Sequence, residues 1–195
     1  KAAVQAKAEG ICFPILLGNP DRINRQAQRL KLDLSGIKII DMRADKEQGR
    51  RATYAKHLAE KLARKGYTFQ EAYDKMYERN YFGMMMVERG DADAFITGLY
   101  TKYSNTIKVA TEVVGVREGF HTFGTMHVVN SQKGTYFIAD TLINRHPDNN
   151  FLVDIARLSA NTVEFFNEKP VMAMISYSNF GTDEIGSPLK VHEAV

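Results

Sequence analysis

Two stretches, Phe13-Pro14-Ile15-Leu16-Leu17-Gly18-Asn19-Pro20 and Ile37-Lys38-Ile39-Ile40-Asp41, decide the fold class of this chain. The first is a short apolar run bounded by turn residues, which reads as a buried strand with Pro14 near its first residue, where no ladder N–H is needed. Asn19 follows as a helix cap and Pro20 as the first helical residue, an order that suits a ring with fixed φ and no N–H. Ser35-Gly36 breaks that helix, and the second apolar run makes the next strand. Strand, helix and strand in this order form a βαβ unit, whose two strands are parallel.

The pattern extends in both directions. Residues 1–10 are alanine-rich and read as the end of a helix closed by Gly10, with no start signal, so the beginning of the domain is expected to lie upstream. Cys12, inside Ile11-Cys12-Phe13, is expected to be a buried, inert thiol. Downstream, Tyr54, Leu58 and Leu62 give the apolar stripe of a helix over 48–64 that Gly66 stops. Thr68-Phe69-Gln70-Glu71 is a capping box opening a helix to about 79. A methionine-rich helix over 81–89 follows, with Met84, Met85 and Met86 as core filler. A strand is expected over 92–98 and a helix over 101–114.

Gly115, Gly119 and Gly124 then loosen the chain and the pattern changes, which places a first lobe at 1–114 and a second at 115–195. Strands over 125–130 and 135–140 are joined by Ser131-Gln132-Lys133-Gly134 in hairpin fashion. A helix over 149–167, a buried strand over 171–177 and a helix opening at Ser187-Pro188 complete the chain. That last helix still runs at Val195, so the second lobe is expected to continue. The alternation predicts an α/β protein: a three-layer α/β/α arrangement in two lobes with mainly parallel sheets.

Composition excludes several classes. Apolar residues make up 44% and charged residues 25%, too hydrophobic for disorder. A single cysteine allows no internal disulfide and fits a cytoplasmic setting. The net charge of +3 is spread over 26 basic and 23 acidic residues, which argues against nucleic acid as a partner. The densest basic spot, Arg50-Arg51 between Lys46 and Lys56, reads as a solvated helix face, with phosphate contact as its functional alternative. No apolar run is long enough for a bilayer, so no membrane partner is expected. The five histidines lack zinc-ligand spacing, and no metal site is expected.

In such folds ligands sit beyond the C-terminal ends of strands. There, Thr97-Gly98 followed by Thr101, Lys102, Ser104, Asn105, Thr106 and Lys108 sets small hydroxyls, backbone N–H groups and two cations at a helix start, an anion site in principle. Plain capping by Ser104 or Asn105 accounts for the same residues. Asp140 with Asn144, and Ser176-Tyr177-Ser178-Asn179-Phe180-Gly181, are further polar strand exits, the last approachable at Gly181. Neither serine sits in a G-x-S-x-G elbow, and the chain has no dinucleotide fingerprint and no Walker loop, so no catalytic residue is assigned.

Several segments together resemble the phosphate acetyl/butyryl transferase family along nearly the whole chain. They are the run 14–20; Arg64-Lys65-Gly66-Tyr67-Thr68; Asn80-Tyr81-Phe82-Gly83-Met84-Met85-Met86-Val87; Gly90-Asp91-Ala92-Asp93-Ala94-Phe95-Ile96-Thr97-Gly98; Phe137-Ile138-Ala139-Asp140-Thr141-Leu142-Ile143-Asn144; and 175–181. The wording at 137–141 and 176–181 is similar to the branch fused to bacterial NADP-dependent malic enzymes, whereas active transferases tend to carry Cys after that aspartate and Ser-Thr-Lys-Gly in the second motif.

The resemblance implies a phosphotransacetylase-like fold, akin to isocitrate/isopropylmalate dehydrogenases, with a ligand cleft between lobes and a homodimer or higher homo-oligomer. It implies an acyl-CoA-sensing role with acetyl-CoA as effector, the chain itself holding no cofactor, and NADP and a divalent metal belonging to a parent malic enzyme. The alternative is an active transferase moving an acyl group between CoA and phosphate. In the transferases a Ser-Gly pair and a downstream arginine help hold acetyl phosphate; the matching positions here are Thr97-Gly98 and Lys108. Lysine keeps the charge but loses arginine's two-pronged geometry. The family's catalytic serine–arginine pair and aspartate are expected beyond Val195.

Overall fold

The computed structural model describes residues 1–98, 101–179 and 181–195. The chain divides into two compact units, Lys1–Gly115 and Val116–Val195.

The first unit opens with α1 (Ala2–Ala8) and proceeds through β1 (Ile15–Leu17), α2 (Pro20–Arg29) and β2 (Lys38–Ile40). β1 and β2 pair in parallel, Ile15 opposite Lys38 and Leu17 opposite Ile40, and the Gly18 N–H extends the ladder to the Ile40 carbonyl. The βαβ unit read from the sequence is therefore present. Its helix starts as expected, the Asn19 side chain accepting from the Arg22 N–H at 3.0 Å with Pro20 first in the helix.

Among the described residues four further α-helices complete the unit, α3 (Gln48–Lys61), α4 (Phe69–Lys75), α5 (Arg79–Glu88) and α6 (Tyr103–Val113), with short 3-10 turns at Asp45–Glu47 and Ala63–Lys65. The capping box at Thr68 is formed in both directions. The single helix expected over 68–79 is instead α4 followed by a break. The N–H groups of Met76, Tyr77 and Glu78 each reach back only three residues, which tightens the last turn and lets α5 begin afresh at Arg79.

The core gathers where α3, α5 and α6 meet the sheet: Ile40, Tyr54, Leu58, Met76, Tyr81, Phe82, Met85 and Val113 are buried together. Residues Tyr81 to Met86 of α5 are all buried, so this helix is apolar on every side and runs through the core. Its glycine has a packing reason. A Cβ on Gly83 would stand 2.3 Å from the Phe95 ring, so only glycine admits that ring against the helix.

The second unit contains the antiparallel hairpin β3 (Met126–Ser131) and β4 (Gly134–Ala139), then α7 (Asn149–Phe165) and α8 (Ser187–Ala194). Ser131 pairs with Gly134, so the loop is Gln132-Lys133, held by the Ser131 hydroxyl donating to the Gly134 carbonyl at 3.0 Å. Asp148 caps α7 through the Phe151 N–H at 2.9 Å.

Four expectations are corrected. Residues 92–98 and 171–177 do not form strands, because among the described residues neither acquires a ladder partner, and pairing rather than extension makes a strand. Cys12 is exposed rather than buried, because the run between α1 and β1 lies on the surface with Phe13. Arg51 is not on a solvated face. Only 3% exposed, it donates through one terminal nitrogen to the carbonyls of Met42 and Ala44 at 2.7 and 2.8 Å and lies over the Tyr77 ring. It thereby ties the residues after β2 to α3 and, by donating to the Tyr73 hydroxyl at 3.4 Å, to α4.

Candidate functional site

The first group of candidate residues begins where the chain leaves α5. The segment 91–98 has no sheet partner among the described residues, yet it is fastened at three points. The Tyr54 hydroxyl bonds to the Asp91 carboxylate, the Phe95 ring lies on Gly83, and the Thr97 hydroxyl donates to the Asn80 amide oxygen at 2.8 Å. Burial first, and then the bond to Asp91, pushes the Tyr54 phenol above its ordinary range. Two of the anchoring residues, Asn80 and Gly83, belong to α5, so the core helix dictates where Thr97 stands. Gly98 follows with φ of 127°, a conformation suited to glycine.

After residues 99 and 100, which lie outside the described residues, Thr101 and Thr106 share a hydroxyl contact of 3.1 Å. The N-cap of α6 is Lys102, and its side chain makes no capping bond. Ser104 and Asn105 are not the cap, which corrects the expectation that they account for this helix start: both lie inside the first turn, with the Asn105 N–H directed to the Lys102 carbonyl at 3.0 Å.

Lys108, 63% exposed, forms an i,i+4 pair with Glu112 at 3.8 Å. Glu112 is itself buried and accepts from the Tyr81 hydroxyl at 2.5 Å, with the Tyr67 hydroxyl at 3.5 Å. Burial, then the bond to Glu112, raises the Tyr81 phenol well above its usual range, so it stays a neutral donor. The cation at position 108 thus has a fixed carboxylate at its base.

In the second unit Asp140 and Asn144 are brought together, but into a network that occupies them. Asp140 Oδ1 accepts from the Thr125 N–H at 2.9 Å and hydroxyl at 2.7 Å; Oδ2 accepts from the Asn144 N–H at 3.0 Å and side-chain amide at 2.7 Å. The Thr125 oxygen takes the N–H groups of Thr141 and Leu142, and Asn144 also donates to the Phe123 carbonyl and accepts from Thr122. Burial alone would raise the Asp140 carboxyl; the four donors outweigh it and hold it below the usual carboxylate range.

The turn after 175 is likewise held by its own atoms. The Ser176 oxygen accepts from the Ser178 N–H at 3.3 Å, the Ser178 oxygen from the Asp183 N–H at 3.0 Å, and the Asn179 carbonyl from the Thr182 N–H at 3.2 Å. Gly181 has φ of 73°. Phe180 lies outside the described residues.

A cavity of about 1110 Å3 opens in this unit among β3, β4, α7 and the extended residues 171–175, with Asp140 and Asn144 on its wall. Its remaining lining is largely apolar, and Thr125 and Asn144 already claim the Asp140 oxygens, so the polar chemistry on offer there is small. Among the described residues no group of three or more His, Cys, Asp or Glu is placed to hold a metal ion.

Sequence reading missed Asn80, Glu112 and Thr125, the three residues that fix the candidates. Glu112 carried one legible signal, its four-residue spacing from Lys108 on a helix. Asn80 and Thr125 contact residues 17 and 15 positions away, which periodicity does not reveal.

Comparison with known proteins gives a consistent picture. The family model described as phosphate acetyl/butaryl transferase matches residues 1–195. The NADP-dependent malic enzyme of Escherichia coli K12 is 33% identical over 187 residues, 95% of this chain and 25% of that protein. The phosphate acetyltransferase of Bacillus subtilis is 32% identical over 182 residues, 93% of this chain and 55% of that protein. The EutD phosphotransacetylase structure from Staphylococcus aureus superposes with a TM-score of 0.86 at 29% identity, covering 100% of this chain and 58% of that one. A phosphotransacetylase from Streptococcus pyogenes gives 0.85 at 27% identity. The chain spans a quarter to just over half the length of these proteins.

Proposed function

The chain belongs to the phosphate acetyl/butaryl transferase family, and we infer from that membership that it is an acyl-CoA-sensing phosphotransacetylase-like domain of an NADP-dependent malic enzyme, itself without transfer activity. In this reading acetyl-CoA is the effector, the assembly is a homodimer or higher homo-oligomer in the cytoplasm, and NADP and a divalent metal serve the parent's oxidative decarboxylation of malate to pyruvate. No residue of this chain is assigned to either cofactor.

The observation that carries the reading is the pair at Lys108. Acyl transfer to phosphate needs both substrates held in near-attack geometry with full charge aimed at the reacting oxygens. At the position where the family resemblance expects an arginine, this chain has a single ammonium 3.8 Å from the Glu112 carboxylate. A lysine so paired offers a diffuse attraction for a phosphate-bearing ligand but not the planar two-pronged grip that aligns one. Binding without turnover is what a sensor requires. In the same reading each unit is taken by itself: Thr97, Gly98 and residues 101–108 of the first offer hydroxyls, backbone N–H groups and cations to a phosphate-bearing ligand, and the second offers the polar turn of Ser176, Ser178, Asn179 and Gly181 and the Asp140–Asn144 pair.

The alternative is an active phosphate acetyltransferase or butyryltransferase, favoured by the fact that both structural neighbours carry the phosphotransacetylase name. A coupled assay for acetyl phosphate formation from acetyl-CoA and phosphate, run on the whole protein, separates the two. The sensor reading expects no turnover with measurable acetyl-CoA binding. A rate of about one per second or more, within the ordinary enzyme range, would establish the transferase instead.

A further inference from the structure

Thr97 has one hydroxyl proton and two lone pairs to offer a ligand. In this structure the proton is already placed: Thr97 Oγ1 donates to Asn80 Oδ1 at 2.8 Å. The bond lies at the surface, but its acceptor belongs to the core helix. Asn80 sits in the first turn of α5, next to Tyr81 and Phe82, which are almost completely buried. The segment bearing Thr97 is pressed onto the same helix by Phe95 against Gly83. Both ends of this exposed hydrogen bond are thus anchored to α5, one directly and one through Phe95. A hydroxyl held in this way meets an incoming group with lone pairs only. It accepts from a ligand N–H and gives nothing to an oxyanion, which is itself acceptor-only.

We propose that Asn80 is a specificity-determining positioning residue: by accepting the hydrogen bond of the Thr97 hydroxyl it turns this position from a phosphate donor into an acceptor, selecting ligands that present an amide N–H, as the pantetheine arm of an acyl-CoA does, over bare phosphate. The proposal rests on the reading above that Thr97 faces the ligand. It adds a reason why phosphate is poorly held that is independent of Lys108: the hydroxyl survives at position 97, but its donor capacity is spent.

The test is a double-mutant cycle on the full chain, titrated calorimetrically with inorganic phosphate at constant ionic strength and without CoA. Asn80→Ala frees the hydroxyl and places a good helix former in α5, so folding is retained. It should tighten phosphate about tenfold or more, the effect of recovering one hydrogen bond to a charged acceptor. In the isosteric Thr97→Val background the same substitution should change nothing. Phosphate affinity unchanged or weakened by Asn80→Ala, or a gain of equal size in the Thr97→Val background, overturns the proposal. A parallel titration of the wild-type protein with acetyl-CoA reads the broader reading separately: absence of binding there sinks acyl-CoA sensing and leaves the outcome of the phosphate cycle intact.

Discussion

The two units of this chain bury their apolar residues in opposite ways. In Lys1–Gly115 the tyrosines, methionines and leucines of α3, α5 and α6 close over the parallel strands, and Tyr54, Leu58, Phe82 and Met85 are at most 2% exposed. In Val116–Val195 the buried apolar side chains among the described residues are Ile155, Val163 and Pro188, while Val171, Ile175, Phe165 and Ile185 stand in the open. The difference lies in what each sequence segment can pair with. A helix such as α5, apolar all round, finds neighbours on every side within the first unit. The run 171–175, equally apolar, has no strand paired to it among the described residues.

The sharpest way to break the comparison is to remove a large side chain from each unit. Phe82→Ala should cost about 3–5 kcal/mol, the usual range for truncating a fully buried aromatic, whereas Val171→Ser should stay within about 0.5 kcal/mol in the isolated chain. Urea denaturation monitored by circular dichroism compares them; equal losses would mean that residue 171 is covered in solution.

A smaller effect is expected from Arg51→Met in the first unit. The methionine fills the volume but leaves the Met42 and Ala44 carbonyls without their donor, a loss of about 1–3 kcal/mol. The same denaturation series checks it, and a neutral result would show that water reaches those carbonyls.

The smallest expected change sharpens the contrast by asking whether polar bonding replaces packing in the second unit. Asp140→Ala removes the acceptor of four donors and should cost about 1–2 kcal/mol near neutral pH. The sign of its pH dependence follows from the depressed Asp140 carboxyl. Its stabilisation is complete above the unfolded carboxylate value of about 3.9 and is lost as pH falls through the lower folded value. The gap between wild type and variant should therefore narrow below about pH 4, and thermal melts across that range would show it. Asp154, also held below its usual range by His121, titrates in both proteins and cancels in the difference. A gap that widens on acidification contradicts the assignment of Asp140 as a charged hub.

Much of this architecture is legible along the chain because its causes are local. The Asn19-Pro20 start of α2, the capping box at Thr68 and the turn at 131–134 each join residues a few positions apart and are present as read, while Gly66 closes a 3-10 turn over Ala63–Lys65 that follows the end of α3 at Lys61. The methionines at 84–86 are core because a helix apolar on all sides has nowhere else to go. The α/β class follows from the same short-range punctuation, and the family resemblance from the order of the motifs.

Tertiary structure alone decided how the candidate residues are employed. Arg51 looked like surface charge until the chain placed Met42, Ala44 and Tyr77 around it. The Thr97 hydroxyl donates to Asn80, and the Asp140 oxygens accept from Thr125 and Asn144, pairings that residue type alone did not reveal. A sequence shows which donors and acceptors a chain carries, since that is fixed by residue type. Which of them are already satisfied depends on partners that lie many residues away and meet only when hydrophobic burial folds the backbone, and that residual capacity is what a ligand can use.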